Sequence, residues 1–147
     1  IQAGITLQQG RYDEAIEWNE EVPEQKFRRI MKSPNTYGYF TASVTPVKRL
    51  TVSLTGNYTG SMLIGHSAGS GVETPVAVET PDFMAVNAKV AYDIPVSAGL
   101  TMQVNAGMQN IFNAYQDDFD KGWNRDSNYI YGPTTPRSIF CGLKLTY

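Results

Sequence analysis

Side chains able to do chemistry are few in this sequence of 147 residues, and they gather in two connecting stretches. His66 is the only histidine, set in M-L-I-G-H-S-A-G-S-G. A neutral imidazole there can touch a metal or haem, and the plainer expectation for a single histidine among Gly and Ser is a solvated side chain. Asp117, Asp118, Asp120 and Asp126 crowd a second stretch with Asn124 and Asn128. The spacing D-x-D-x-G at Asp118, Asp120 and Gly122 faintly matches a calcium loop, but no Glu stands at the offset from which such loops draw their bidentate ligand. The expectation is a hydrogen-bonded loop whose aspartates pair with Lys121, Arg125 or Arg137. Trp123, Tyr129 and Tyr131 form either a ligand-facing aromatic patch or packing for the same loop. No nucleophile and base pair, phosphate-binding Gly loop or zinc constellation is present, so neither an enzyme nor a resident metal or cofactor is expected.

The elements that must hold these stretches are strands. Ile139, Cys141, Leu143, Leu145 and Tyr147 fall at every second position, a period of two with one apolar face. The same alternation runs through Ile1 to about Gly10, extending at most towards Trp18, and again through Tyr37–Thr45, Arg49–Thr59, Phe83–Asp93 and Leu100–Gln109. That gives an all-β chain, an antiparallel up-and-down meander of about six strands. Between them the connections run long, short, long, short, long: a charged stretch to about Lys32, a turn at Pro46–Lys48, a Gly/Ser/Pro-rich loop over 60–81, a turn over 94–99, and a loop over 113–135. A meander built this way has its long loops at one end and its short turns at the other, as outer-membrane barrels do. Greek-key sandwiches have no reason to sort their connections so.

Composition narrows the reading further. Hydrophobic content of 41% and charged content of 18% suit a folded chain, and a net charge of -2 supplies no basic field, so nucleic acid is not an expected partner. No apolar run approaches the roughly 18 residues of a membrane helix, which leaves a β-barrel untouched. Cys141, the one cysteine, is expected to be a small buried residue. The polar faces of the strands carry Thr, Ser, Asn, Gln and Gly instead of the Lys and Glu of a soluble surface. Lys89 and Lys144 fall in that polar register. Tyr92 and Tyr147 near the short turns, and Tyr58 and Phe112 near the long loops, have the placement of interfacial girdles. Ile1 opens in mid-strand, so the chain reads as a C-terminal piece of a longer one.

Two stretches carry a resemblance. N-I-F-N-A-Y-Q-D-D-F-D-K-G-W-N-R-D-S-N-Y-I-Y-G-P-T-T-P-R-S-I-F-C-G-L-K-L-T-Y, residues 110–147, is similar to the C-terminal end of TonB-dependent outer-membrane receptors of the Bacteroides type. Y-G-Y-F-T-A-S-V-T-P-V-K-R-L-T-V-S-L-T-G-N-Y-T-G, residues 37–60, resembles their late barrel strands, and N-I-F-N their common N-L-F-N element. The resemblance implies that residues 1–147 are the last six strands of a barrel of about 22, with plug and earlier strands elsewhere. It implies a Gram-negative outer-membrane location, outer-membrane lipid against Ile139, Cys141, Leu143, Leu145 and Tyr147, and recognition of that closing strand by the barrel-assembly machinery. It further implies TonB as the energy-supplying partner through the plug, and a small extracellular ligand. The terminal Tyr147 departs from the family's usual Phe. The loop before the last strand differs from that of the family's glycan importers, which points to a metal chelate, haem or cobalamin. Two other readings stay open: a soluble β-barrel or sandwich binding a small ligand, and a porin-like or autotransporter barrel. Exposed edges at the first and last strands predict that the isolated chain oligomerises or needs detergent.

Overall fold

A computed structural model describes residues 1–69 and 71–147. Every regular element in them is a strand: β1 (Gln2–Leu7), β2 (Arg11–Glu17), β3 (Lys26–Arg29), β4 (Thr36–Val47), β5 (Leu50–Thr59), β6 (Leu63–His66), β7 (Val76–Glu79), β8 (Phe83–Ser97), β9 (Leu100–Gln109) and β10 (Ser138–Thr146). Six of them build one antiparallel sheet in the order β1-β4-β5-β8-β9-β10, a meander in chain order. The other four are two hairpins set into the long connections, β2 with β3 and β6 with β7. The sheet is the expected one, and the hairpins are additions to it. The first strand ends at Leu7, where the Gln8 N–H donates to Asn35 O at 2.8 Å, and residues from Arg11 onward pair with β3 instead of prolonging β1.

Pairing puts like with like. Phe40 faces Gly56, Val44 faces Val52, Val52 faces Val90, Val90 faces Ala106, Ala106 faces Cys141 and Val104 faces Leu143. One face of the whole sheet is therefore apolar in register, because a period of two survives every pairing only if no strand slips by one. Thr41 against Thr55, Ser43 against Ser53, Thr55 against Asn87 and Gln103 against Lys144 make up the opposite, polar face. Along β8 the apolar face runs from Met84 to Ile94, about 33 Å of strand.

The two short turns are tighter than expected. They are Lys48–Arg49 and Ala98–Gly99, with the second residue of each left-handed, φ 73° at Arg49 and 85° at Gly99. A register shift precedes each, between Val44 and Val47 and between Pro95 and Ser97. Such bulges take up a proline that has no N–H for the ladder, which lets β4 and β8 run past Pro46 and Pro95 almost to their turns. Glycines opposite aromatics tighten the sheet. Phe40 lies over Gly56 on the apolar face, and Phe140 lies over Gly107 on the polar one. A methyl group at Gly107 would also come within 2.5 Å of Ala88 O, a backbone atom that cannot yield.

Among the described residues no second layer covers the apolar face. Ile5, Val44, Leu54, Val90, Val104, Ile139, Leu143, Leu145 and Tyr147 stay exposed on it. Cys141 is exposed as well, contrary to the buried position expected, since it shares that bare face. The buried apolar cluster lies elsewhere, in the long connections at the end of the sheet opposite the short turns, where Ile64, Phe83, Tyr129 and Tyr131 pack with Met62, Val78 and Ala114.

Candidate functional site

The three long connections form one cap, with the β6–β7 hairpin at its centre. Alternation in L-I-G-H turns Ile64 and His66 to one side and Gly65 to the other. On the Gly65 side the Trp18 ring lies so close that an added Cβ would stand 2.3 Å from it. The same side is tied to the first connection by Gln25, whose amide donates to Pro75 O at 3.3 Å and whose oxygen accepts from Ala77 N at 3.1 Å. Arg29 pairs with Glu79 at 2.8 Å and donates to Ser61 O at 3.1 Å. The Arg29 bond, and one from the Ser61 hydroxyl at 3.2 Å, hold the Glu79 carboxyl below its ordinary range.

On the other side Ile64 is fully buried, a stabilisation of about 1.5–3 kcal/mol shared between its own hairpin, Phe83 and the third connection's Tyr129 and Tyr131. His66 is buried, not solvated: its ring stacks on Tyr129 with centroids 3.8 Å apart and planes within 4° of parallel. Its Nε2 lies 3.0 Å from Asp120 Oδ1. An ionised Asp120 has only acceptor oxygens, so the proton of this bond sits on Nε2. Asp120 Oδ2 accepts from the Asp126 N–H at 2.9 Å, and Asp126 in turn accepts from the N–H groups of Ser67, 2.7 Å, and Asn128, 2.8 Å. The Tyr129 and Tyr131 hydroxyls both donate to Asp118, at 2.7 and 2.5 Å. Among the described residues none of these aspartates is ion-paired with Lys121, Arg125 or Arg137. Tyrosine hydroxyls, an imidazole and backbone N–H groups satisfy them instead, and among the described residues no three His, Cys, Asp or Glu side chains converge as a metal site.

The sequence candidates thus divide. His66, Tyr129 and Tyr131 come together as the buried packing of the cap, and Trp123 stands 97% exposed away from them. Two buried amides outside those candidates complete the cap. Gln116 accepts from Tyr131 N at 3.0 Å and donates to Tyr129 O at 3.2 Å. Asn110, first residue of N-I-F-N, donates through Nδ2 to Ala114 O and Thr135 O and accepts from Ala114 N, all at 2.9 Å. It clamps the start and the end of the third connection while sitting at φ 48°, a conformation asparagine tolerates better than other side chains. The motif itself was the signal, since Asn113 repeats the device at φ 52° and accepts from Arg137 N at 3.0 Å.

Between the cap and the polar face of the sheet lies open space. A cleft of about 350 Å³ has Asn57, Thr59 and Phe83 on its walls, and Pro133 and Ala85 border both it and one of about 260 Å³ beside Asn87 and Gln109. A third space of about 250 Å³ continues along the polar face past Ser53, Lys89 and Phe140. The arrangement is a roof above a groove whose walls mix amides and hydroxyls with Met62, Phe83, Pro133 and Phe140.

The titrating groups make the cap pH-sensitive in a predictable direction. Burial raises the Asp118 and Asp126 carboxyls, but the tyrosine hydroxyls on Asp118 and the backbone N–H groups of Ser67 and Asn128 on Asp126 outweigh it and leave both below the ordinary 3.8. Asp120 is lowered chiefly by the Asp126 N–H, against burial and with help from His66. A folded state that binds fewer protons is stabilised above the unfolded value. The cap is therefore expected to hold at neutral pH and to loosen as pH falls below 3.8 through the lowered folded values. Burial and Asp118 push Tyr129 up to about 12 from 10.0, and Tyr131 is raised too. The Tyr129 contribution is complete below pH 10.0 and lost on the way to 12, and Tyr131 acts in the same direction. Protease nicking within residues 113–135, followed against pH, checks the acid limb, and tyrosinate absorbance the alkaline one. Equal nicking on both sides of the acid limb, or normal ionisation of every tyrosine, contradicts this account.

Comparison with protein families, with curated proteins and with solved structures finds no match.

Proposed function

We propose that the chain is the C-terminal wall of a 22-stranded outer-membrane β-barrel of the TonB-dependent receptor type, taking up a scarce ligand of the metal chelate, haem or cobalamin class. The observation that carries this reading is the bare apolar face. Six strands keep it in register, no layer among the described residues covers it, and its roughly 33 Å of strand would, at the roughly 40° tilt of such barrels, span their apolar band of about 25 Å. A soluble sandwich or barrel needs that face as its core, whereas a barrel wall turns it to lipid. The polar face is then lumen, and the cap is an extracellular roof at the end where all long connections meet. Lipid would contact Ile139, Cys141, Leu143, Leu145 and Tyr147, and the first strand of the same barrel would pair with the free edge of β10. TonB would act through a plug outside these residues, and the barrel-assembly machinery would read β10.

Cell fractionation combined with uptake tests this. The full-length protein is expected in the outer membrane, with heat-modifiable mobility on gels. Cells given haem, cobalamin or a ferric siderophore as the limiting nutrient should lose uptake of one of them when either this gene or TonB is removed. Recovery of the protein as a soluble monomer without detergent overturns the membrane reading. Uptake that survives loss of TonB overturns the energised one and leaves a passive pore.

A further inference from the structure

The third long connection does not simply project from the sheet. Its last part, Tyr131–Thr135, turns back over the polar face and is held at both ends. The Tyr131 N–H donates to Gln116 Oε1 at 3.0 Å, and Thr135 O accepts from Asn110 Nδ2 at 2.9 Å. Between these anchors Gly132, at φ 78°, lies so close to the Phe83 ring that a Cβ would meet it at 2.9 Å. Pro133 follows with its φ fixed by the ring and borders both upper clefts. The groove further along, by Ser53 and Lys89, is lined by no residue of this segment. From these contacts we infer that Tyr131–Thr135 is a strap that narrows the passage between the cleft under the cap and the lower groove, with Pro133 as its obstructing residue. The inference rests on reading the polar face as a barrel lumen.

A strap anchored at each end and packed on an aromatic ring opens only when those contacts break. Its open form is then a minor state, populated at roughly 10% or less, and passage of a probe past it slows about tenfold or more. Asn57 and Ser53 supply matched reporters. Both lie on the polar face of β5, roughly 13 Å apart along the strand, with Asn57 at the cleft that Pro133 borders and Ser53 at the groove beyond.

The test places single cysteines at these positions in the full-length protein, with Cys141→Ser as background, and adds a membrane-impermeant maleimide outside intact cells. Asn57→Cys is expected to label readily, and Ser53→Cys about tenfold or more slowly. Loosening the strap by Pro133→Gly, or displacing it from Phe83 by Gly132→Ala, is expected to bring Ser53→Cys up towards the Asn57→Cys rate. Equal rates at the two positions with the strap unaltered, fast or slow, overturn the inference. So does a slow Ser53→Cys that neither strap variant changes. Leu143→Cys, on the apolar face, reports separately on the membrane reading: free labelling there in intact cells removes the lumen itself, whatever the strap does.

Discussion

Replacing Leu143 with arginine is expected to destabilise the protein in its membrane by about 2–4 kcal/mol, the cost of a cation near the middle of a bilayer on a barrel's outer face. Leu143 lies opposite Val104, midway along β9, and is 71% exposed. That exposure gives the experiment its power. In water, a charged residue replacing an exposed leucine costs within about 0.5 kcal/mol either way. The two solvents therefore predict different outcomes for one substitution. Asn105→Arg, one position along β9 and on the polar face, is the control and should be nearly neutral in both. The measurement is the urea midpoint of folding into lipid vesicles for the three proteins. A Leu143→Arg protein as stable as its parent would mean that lipid does not cover this face.

Asn110→Ala is expected to cost about 4 kcal/mol, through two separable effects. The side chain is 3% exposed and makes three bonds to the backbone of Ala114, half-buried, and Thr135, exposed, so that each lost bond costs about 1 kcal/mol. Alanine at φ 48° adds about 1–2 kcal/mol of backbone strain. Asn110→Gly removes the bonds but not the permitted conformation, so it should recover that second part alone. Denaturant midpoints in detergent micelles give the totals, and nicking of residues 113–135 locates the loss in the third connection. If glycine and alanine behave alike, the left-handed backbone plays no part. If neither changes the midpoint, the clamp is unimportant.

The sheet was legible in the sequence because its face is a matter of parity. Leu50, Val52 and Leu54, or Met102, Val104 and Ala106, declare their side of the strand without reference to any partner. The cap was not legible, because its contacts have no parity and no locality. His66 and Asp120 are separated by 54 positions, and nothing near either one announces the other. In L-I-G-H the alternation of Ile64 and His66 was present but only four residues long, too short to stand out in a Gly- and Ser-rich stretch. Aspartates beside Lys121 and Arg125 invited ion pairs by proximity in the chain, yet backbone N–H groups and tyrosine hydroxyls reached them first. Trp18 and Gly65 illustrate the same limit, since a ring resting on a glycine leaves no trace in the composition of either segment.

The cap also sets an order in time. The hairpins β4–β5 and β8–β9 close over turns of two residues and need little chain entropy to form. Lys32, by contrast, donates to Asn128 O across 96 positions, and Trp18, His66 and Tyr129 come from three different connections. Such contacts wait until the strands between them are in place, because the loops they close are long and unrewarded until the end. Until then Trp18, Ile64 and the stacked pair of His66 and Tyr129 stay unpacked and open to proteolysis. A sealed cap is thus a certificate of a completed sheet, and a chain with a mispaired strand carries its own cleavage mark.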